Sequence, residues 1–496
     1  MLSQSKGIER REGTYTMETR ESKHHQLYEP LAAIVGPKYV ADEDFVLETY
    51  SRDISAFAAS KPGIVVRPES TEEVSEIVKL ANRTGYPIVL KGGGQGGSGV
   101  TKGEPTRHIV LDMGRLDKVD VDIANMKATC GGGTRNSRID DALRPYGYYA
   151  NTVIGPYFTA TIGGVTSGIA GAGFGKNVSS VGCNWGHILG LKVVLPNGDI
   201  ITTGAGPDTN INRKGIEFRE VTGPDLTSLF IGSGGALGVI TEVAIKVYPL
   251  AKYSKAISYV FDTMEHIWAA QLKMSDGVRI PYTNMIMFEL ANHMVHAMAG
   301  DIHGYGALFM AVDGDSEEDV DVRLREIDAV CREYGAQRGN AALDHYAATG
   351  ATGNAEFVHD VCSMSCPFMT WESMSTRSQS LEYAKGLLGV LKDFAADNAK
   401  YRTSGGLYTV PIANTMLVGI TIHWDATVSG VDEHNRRLWK AGADYMLKNG
   451  TFSAYAQGNH STMISSAWSP TYYKVISGIK KTLDPNNILN PGLWNL

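Results

Sequence analysis

Glycine placement constrains this chain more than any other feature. Its 56 glycines include four clusters, at residues 92–99, 131–133, 163–175 and 232–238. Glycine is required where the backbone takes a positive φ or passes close to another group. Four such clusters in the first half of a 496-residue chain predict a large ligand touched by several loops.

The first cluster, Lys91-Gly92-Gly93-Gly94-Gln95-Gly96-Gly97-Ser98-Gly99, contains the pattern G-x-G-x-x-G, and Asp112 lies about where a ribose-binding acid would stand. A Rossmann loop, however, must open a helix whose N-terminus faces the pyrophosphate. Here Val100 to Arg107, with Pro105, is not helical in pattern, and a strand follows. What remains is a turn of successive backbone N–H groups, able to hold a pyrophosphate without a helix dipole. The third cluster, Thr161-Ile162-Gly163-Gly164 continuing to Gly175, has neither helical nor strand periodicity. Its small residues suit a chain that passes flat against a planar ring. In the fourth, Gly232 to Glu242, a tight turn runs into a long strand.

The surrounding pattern is α+β. Ile64-Val65-Val66 reads as a buried strand, and Thr71 as the N-cap of a helix with Glu72 and Glu73 in its first turn. Val74, Ile77, Val78 and Ala81 give that helix one apolar face. Strands are expected at Ile88–Leu90, His108–Leu111, Lys127–Cys130, Gly190–Leu195, Asp199–Thr203 and Val239–Tyr248, with a short helix at Arg138–Tyr146. Pro249 closes the first domain, and an α+β layer follows. In that layer, strands are expected at Ala256–Phe261, Met285–Leu290, Ala307–Val312, Leu407–Ile412 and Met416–His423. Helices are expected at about 263–275, 316–334, 377–398 and 430–448, and a last helix runs from Tyr472 to Leu483.

Composition removes several function classes. A net charge of -7 without a basic run argues against nucleic-acid binding. No apolar run is long enough to cross a bilayer, and the polar residues 1–30 read as a disordered N-terminus without a signal peptide. Five cysteines, odd in number, predict no disulfide framework and a cytoplasmic setting. Cys362 and Cys366 have no second pair at zinc spacing, so no metal is expected.

Taken in order, the strand–helix–strand unit, the 91–99 loop, Thr-Ile-Gly-Gly at 161–164, Gly182 to Leu195, Pro-Asn-Gly-Asp at 196–199, Gly-Ala-Leu-Gly-Val-Ile-Thr-Glu at 235–242 and Leu-Asp-Pro-Asn-Asn-Ile-Leu-Asn-Pro-Gly at 483–492 resemble the vanillyl-alcohol oxidase/p-cresol methylhydroxylase flavoproteins. The resemblance covers about residues 40–496. It implies a PCMH-type FAD-binding domain at 31–250, a substrate-binding cap of α+β (ferredoxin-like) type at 251–450, and a segment at 451–496 that returns to the FAD domain. FAD would be held by Gly92, Gly93, Gly94, Gln95, Gly96, Gly97 and Ser98 at the pyrophosphate. Thr161, Ile162, Gly163, Gly164, Ser167, Gly168, Gly182, Cys183, Asn184 and His187 would lie along the ring, with Gly238, Ile240 and Asn490 as further contacts.

Departures from the family pattern shape the rest. Gln95 and Thr159 stand where covalently flavinylated relatives carry histidine and cysteine, and Cys366 aligns near the cap histidine of the vanillyl-alcohol oxidase branch, so the FAD is expected to be non-covalent. Cys183 replaces an aspartate near the flavin N5, and Ala456 replaces a phenolate-binding arginine. Candidates for acid–base or substrate contact are Tyr455, His460, Cys183 and His423. The expected reaction is hydride removal from an alcohol, aromatic or bulky and apolar, with oxygen or an electron carrier as acceptor, and the expected assembly is a homodimer. The enzyme rival is a D-2-hydroxy-acid dehydrogenase, which would need a cationic clamp from Arg279, Arg377 or Arg402. A rival of another class is a flavin-binding redox subunit without turnover.

Overall fold

The computed structural model describes residues 25–53, 55–94, 106–152, 156–168, 184–209, 214–275, 284–289, 304–351, 367–412, 414–453 and 458–496. Gln95, Gly96, Gly97, Ser98, Gly182, Cys183, Arg279, Cys362, Cys366, Tyr455 and Ala456 lie outside the described residues, as does the side chain of Asn184.

The first half of the chain builds two sheets. Ile64–Val66, Ile109–Asp112 and Ile88–Lys91 run parallel, with Val40–Ala41 antiparallel at one edge. The helix Thr71–Thr84 makes the crossover from Ile64–Val66 to Ile88–Lys91, and Ile109–Asp112 pairs between those two strands. Ile77, Val78 and Ala81 of its apolar face are fully buried with Ile64, Val66, Ile88 and Ile109. Ser70, not Thr71, is the N-cap: its hydroxyl accepts the Glu73 N–H at 3.1 Å. Thr71 is already helical, and its hydroxyl donates instead to Thr241 Oγ1 at 3.0 Å, which ties the helix to the second sheet.

That second sheet is antiparallel, in the order Val119–Asp122, Lys127–Gly131, Val239–Pro249, Ile188–Val194, Ile200–Thr202, and Tyr148–Ala150 pairs the end of Val239–Pro249. The long strand Val239–Pro249 is central because Val239, Val243, Ala244, Ile245 and Val247 are all buried. The chain leaves this sheet at Pro249 and enters the cap at Tyr253.

The cap is an antiparallel sheet ordered Gln337–Arg338, Tyr253–Phe261, Gly306–Gly314, Asn284–Glu289, Thr403–Ile412, Thr415–Trp424, Phe368–Thr376, Phe452–Ser453. Helices Met264–Met274, Glu317–Glu333, Ser380–Asp393 and Val431–Lys448 bury their apolar stripes on one face, against Met310, Trp371, Leu407, Val418 and Ile420. Ser316 caps the second of these through the Asp319 N–H. The strand Phe368–Thr376 was not anticipated. Helix Ala341–Ala351 lies on the opposite face at the Tyr253–Phe261 end, where Asp344 accepts a hydrogen bond from Ser258 Oγ at 2.6 Å. No helix of the described residues is long and apolar enough to cross a membrane.

Candidate functional site: the glycine loop, the C-terminal clasp and the cap face

The glycine loop presses on the segment that begins the third cluster. A Cβ on Gly92 would overlap Thr161 Oγ1, and one on Gly93 would overlap the Thr159 carbonyl. Gly94 holds φ +69°, a left-handed value that favours glycine. The N–H groups of Gly92, Gly93 and Gly94 donate to no acceptor among the described residues. Beside them, Ile162–Gly168 forms a short helix where a featureless passage was expected. Weak helix formers manage this because the surroundings cap them: Ile162 N–H donates to Thr134 O at 2.8 Å and Gly163 N–H to Gly132 O at 2.9 Å.

Two of the glycine clusters serve packing more than ligand contact. Gly131, Gly132 and Gly133 abut the carbonyls of Leu116, Ile240 and Met113, and Gly238 abuts Val193 and Phe230. The sequence pattern points to a large ligand touched by several loops; at Gly131–Gly133 and Gly238 the close backbone and side-chain approaches also give glycine a packing role. Ile240 is likewise core, packed with Leu237 and Val243. A polar ligand does have partners to find near the first two loops. The whole side-chain amide of Asn136, Thr152 Oγ1 and Thr166 Oγ1 are buried without a hydrogen-bond partner among the described residues. Asn136 N–H donates to Ala160 O, and the Thr166 and Ser167 carbonyls accept from Gly232 and Gly234. Buried polar atoms left open in this way mark where an absent group belongs.

The C-terminal segment clasps this region. Leu489 forms a parallel bridge to Ile88, extending the edge of the four-stranded sheet. Asn490 Oδ1 accepts the Leu90 N–H at 3.1 Å, and its Nδ2 donates to Gly234 O at 2.7 Å. Its side chain therefore joins the strand before the first glycine loop to the fourth cluster. Lys480 and Asp484, 5% and 2% exposed, lock the clasp. Lys480 Nζ donates to Asp484 Oδ2, Ala236 O and Leu489 O, while Asp484 accepts from the Ile488 and Leu489 amides. Sequence reasoning missed this pair, since Lys-x-x-x-Asp on a terminal helix looks like a solvated ion pair.

His187 ends the short 3-10 turn Asn184–His187 and is buried. Asn151 Nδ2 donates to its Nε2 at 3.0 Å, which leaves Nδ1–H to donate to Tyr248 OH at 2.6 Å. Burial, helped by Lys246, drives its pKa down to about 4, so the ring is neutral. Both ring nitrogens are engaged within the protein, and the residue fixes the backbone on either side of the site. Nearby, Asp140 accepts from Tyr157 OH and, at 2.8 Å, from Ala150 N–H.

The remaining candidates lie on the cap. His423 is buried, and burial lowers its pKa to about 4. Its strand positions Met416, Val418, Ile420 and Ile422 belong to the helix-covered core, so His423 and Thr421 point to the other face. Register places Phe368 opposite His423, Thr370 opposite Thr421, and Gly419 between Glu372 and Tyr408. A Cβ on Gly419 would run into the Tyr408 ring and hydroxyl, so the phenol lies over Gly419 toward Glu372. Glu372 is 2% exposed. On the same face of the sheet, Asp313 of the strand Gly306–Gly314 helps raise the pKa of Tyr149, after burial, so that end of the face lies near the FAD-binding half of the chain. Glu372 and Tyr408 are thus functional candidates that sequence reasoning missed.

His460 is fully buried elsewhere, edge-on to Trp439 at 4.9 Å. Burial takes its pKa to about 4, opposed by the Thr370 backbone. It packs where the C-terminal segment meets the cap, on the sheet edge. Two of the three arginines proposed as an anion clamp are also placed elsewhere. Arg377 donates to Ser275 Oγ and Leu272 O, and Arg402, 72% exposed at its side chain, pairs with Asp425.

Comparison with known proteins fits this geometry. Residues 62–204 match the family described as FAD binding domain, and residues 458–493 match FAD linked oxidases, C-terminal domain. A D-lactate dehydrogenase of Archaeoglobus fulgidus is 34% identical over 208 residues, 42% of this chain and 43% of that protein. An uncharacterized FAD-linked oxidoreductase of Mycobacterium tuberculosis is 31% identical, again over about half of each chain (49% and 50%). The chain thus spans about half the length of these more similar relatives. The glycolate oxidase subunit GlcD of Bacillus subtilis is 24% identical, over 94% of this chain and 95% of that one. Among solved structures, p-cresol methylhydroxylase with substrate bound superposes with a TM-score of 0.77 at 20% identity, covering 94% of this chain and 96% of that one. The chain has the PCMH-type FAD-binding fold with FAD as its cofactor, and its residues 458–493 are similar to FAD linked oxidases, C-terminal domain.

Proposed function

We propose that this protein is an FAD-linked oxidoreductase that removes hydride from the CH–OH carbon of a neutral alcohol, aromatic or bulky and apolar. Bound FAD supplies the hydride acceptor. The residues of this chain hold the alcohol carbon against it, exclude water and take the hydroxyl proton. The observation that carries the reading is the cap face. It sets Phe368, Tyr408, Thr370, Thr421 and His423 around a buried Glu372, with no lysine or arginine among its described residues. Aromatic walls suit an apolar substrate, and a buried carboxyl on the same face disfavours an anionic one. His423, neutral at pH 7, can accept a hydrogen bond from a substrate hydroxyl. Non-covalent FAD belongs to the same reading.

A second reading is favoured by the relatives: a D-lactate dehydrogenase and a glycolate oxidase subunit suggest a D-2-hydroxy acid. Both are tested by one experiment. The yellow holoprotein is mixed anaerobically with benzylic alcohols and with D-2-hydroxy acids, and flavin absorbance is followed. Bleaching by the alcohols alone is expected. Bleaching by the hydroxy acids alone replaces the first reading with the second, and holoprotein that no alcohol bleaches would favour a redox subunit without turnover. Acid precipitation should leave the flavin in the supernatant.

A further inference from the structure

The diphosphate of FAD carries negative charge that needs a cation, and the residue before the glycine loop is set up to supply it. Lys91 is the last residue of the strand Ile88–Lys91. Its ammonium lies 4.9 Å from the centroid of the Tyr50 ring, a cation–π distance. No carboxylate lies within ion-pair reach of Lys91 Nζ among the described residues, although Asp112 is its register partner on the neighbouring strand. Asp112 is engaged otherwise: it accepts from Tyr50 OH at 2.6 Å and from the Gly114 N–H at 2.8 Å, with Arg67 4.0 Å away. The loop then turns back over its own lysine. The position a Cβ of Gly94 would take is 3.3 Å from Lys91 Cε and 3.5 Å from Nζ. The ammonium therefore stands beside three consecutive amides, Gly92 to Gly94, that donate to no acceptor among the described residues.

A cation and three amides, without acceptors or carboxylate partners among the described residues, meet at one turn and make an anion site. We propose that Lys91, held in place by the Tyr50 ring, is the cation that neutralises the FAD diphosphate on the Gly92–Gly94 amides. Tyr50 is a positioning residue: its face holds the ammonium, and its hydroxyl, anchored on Asp112, keeps the ring from turning away. Burial and the hydrogen bond to Asp112 keep that phenol protonated, so it adds no competing charge. The assignment rests on FAD being the cofactor and names the part of it that this lysine reads.

The test compares FAD with riboflavin, which has the same ring and no phosphate. Apoprotein made by acid–ammonium sulfate treatment is titrated with each, following flavin fluorescence, at low and high salt. Lys91→Met should weaken FAD about 10- to 100-fold, flatten the salt dependence of FAD binding, and leave riboflavin affinity within about twofold. Tyr50→Phe should keep most of the affinity, since the ring face remains, while Tyr50→Leu should lose about as much as Lys91→Met. Equal FAD affinity in wild type and Lys91→Met overturns the proposal while leaving the FAD assignment intact. Parallel loss of FAD and riboflavin also overturns it, since that is damage to the fold. Wild-type apoprotein that takes up neither flavin would instead sink the functional reading.

Discussion

Replacing Asp484 with alanine should be among the most damaging single changes to this protein that leave every proposed substrate contact in place. Lys480 would keep its charge while 5% exposed, with only the Ala236 and Leu489 carbonyls as partners. The Ile488 and Leu489 amides would lose their acceptor at the same time. Breaking a buried pair on one side costs about 3–5 kcal/mol, because the remaining charge is uncompensated. Each stranded amide adds roughly 1 kcal/mol or more where water cannot reach it. Lys480→Met should cost less, since Asp484 would still accept from two backbone amides. Urea unfolding followed by tryptophan fluorescence measures both, with FAD saturating and with apoprotein. The expected order is Asp484→Ala well below Lys480→Met, and Asp484→Ala should also weaken FAD, because Asn490 and the 232–236 loop move with the clasp. A loss under about 1 kcal/mol for Asp484→Ala, or equal losses for the two variants, would refute the reasoning.

Two further outcomes follow from the site. Gly419→Ala places a methyl inside the Tyr408 ring, so the ring must move off Gly419; the rate of anaerobic flavin reduction should fall about 10-fold or more while FAD content is unchanged, and a normal rate would remove Tyr408 from the site. Asp140 is pushed up to about 6, chiefly by burial and against the hydrogen bonds from Tyr157 and Ala150. Because its folded pKa exceeds its unfolded one, near 4, its contribution is full below about pH 4 and is lost as pH rises through 6. Asp140→Asn should therefore remove a fall in stability between pH 4 and 6 worth about 2–3 kcal/mol, visible as a flatter melting temperature against pH; an unchanged profile would refute it.

Much of the frame could be read from residue order. The strand–helix–strand unit was expected because Val74, Ile77, Val78 and Ala81 mark one helix face and Gly85, at φ +71°, ends it. The parts that escaped depend on tertiary partners. Ile162–Gly168 is helical because distant carbonyls of Thr134 and Gly132 take its first amides, which no local propensity reveals. Phe368–Thr376 is buried on both faces, with only Thr376 exposed, so it shows no alternation, and Glu372 within it looked unremarkable. Lys480 and Asp484 have helical spacing and ordinary composition; only the strand bridge from Leu489 to Ile88 makes them interior. His460 had the right chemistry for a catalyst, but its environment is set by Trp439.

The clasp has a consequence for the order in which the protein is made. The strand Ile88–Lys91 has one edge covered by Ile109–Asp112 and the other only by residues 488–490, about 400 positions later in the chain. During synthesis at roughly 5–20 residues per second, that edge stays open for tens of seconds. An open strand edge is a template for wrong pairing, and here it leads straight into the glycine loop. The cofactor loop thus gains its final support only when the last turn of chain arrives, so flavin loading is a late event, and a ribosome stalled before residue 480 would display an adhesive, cofactor-free domain.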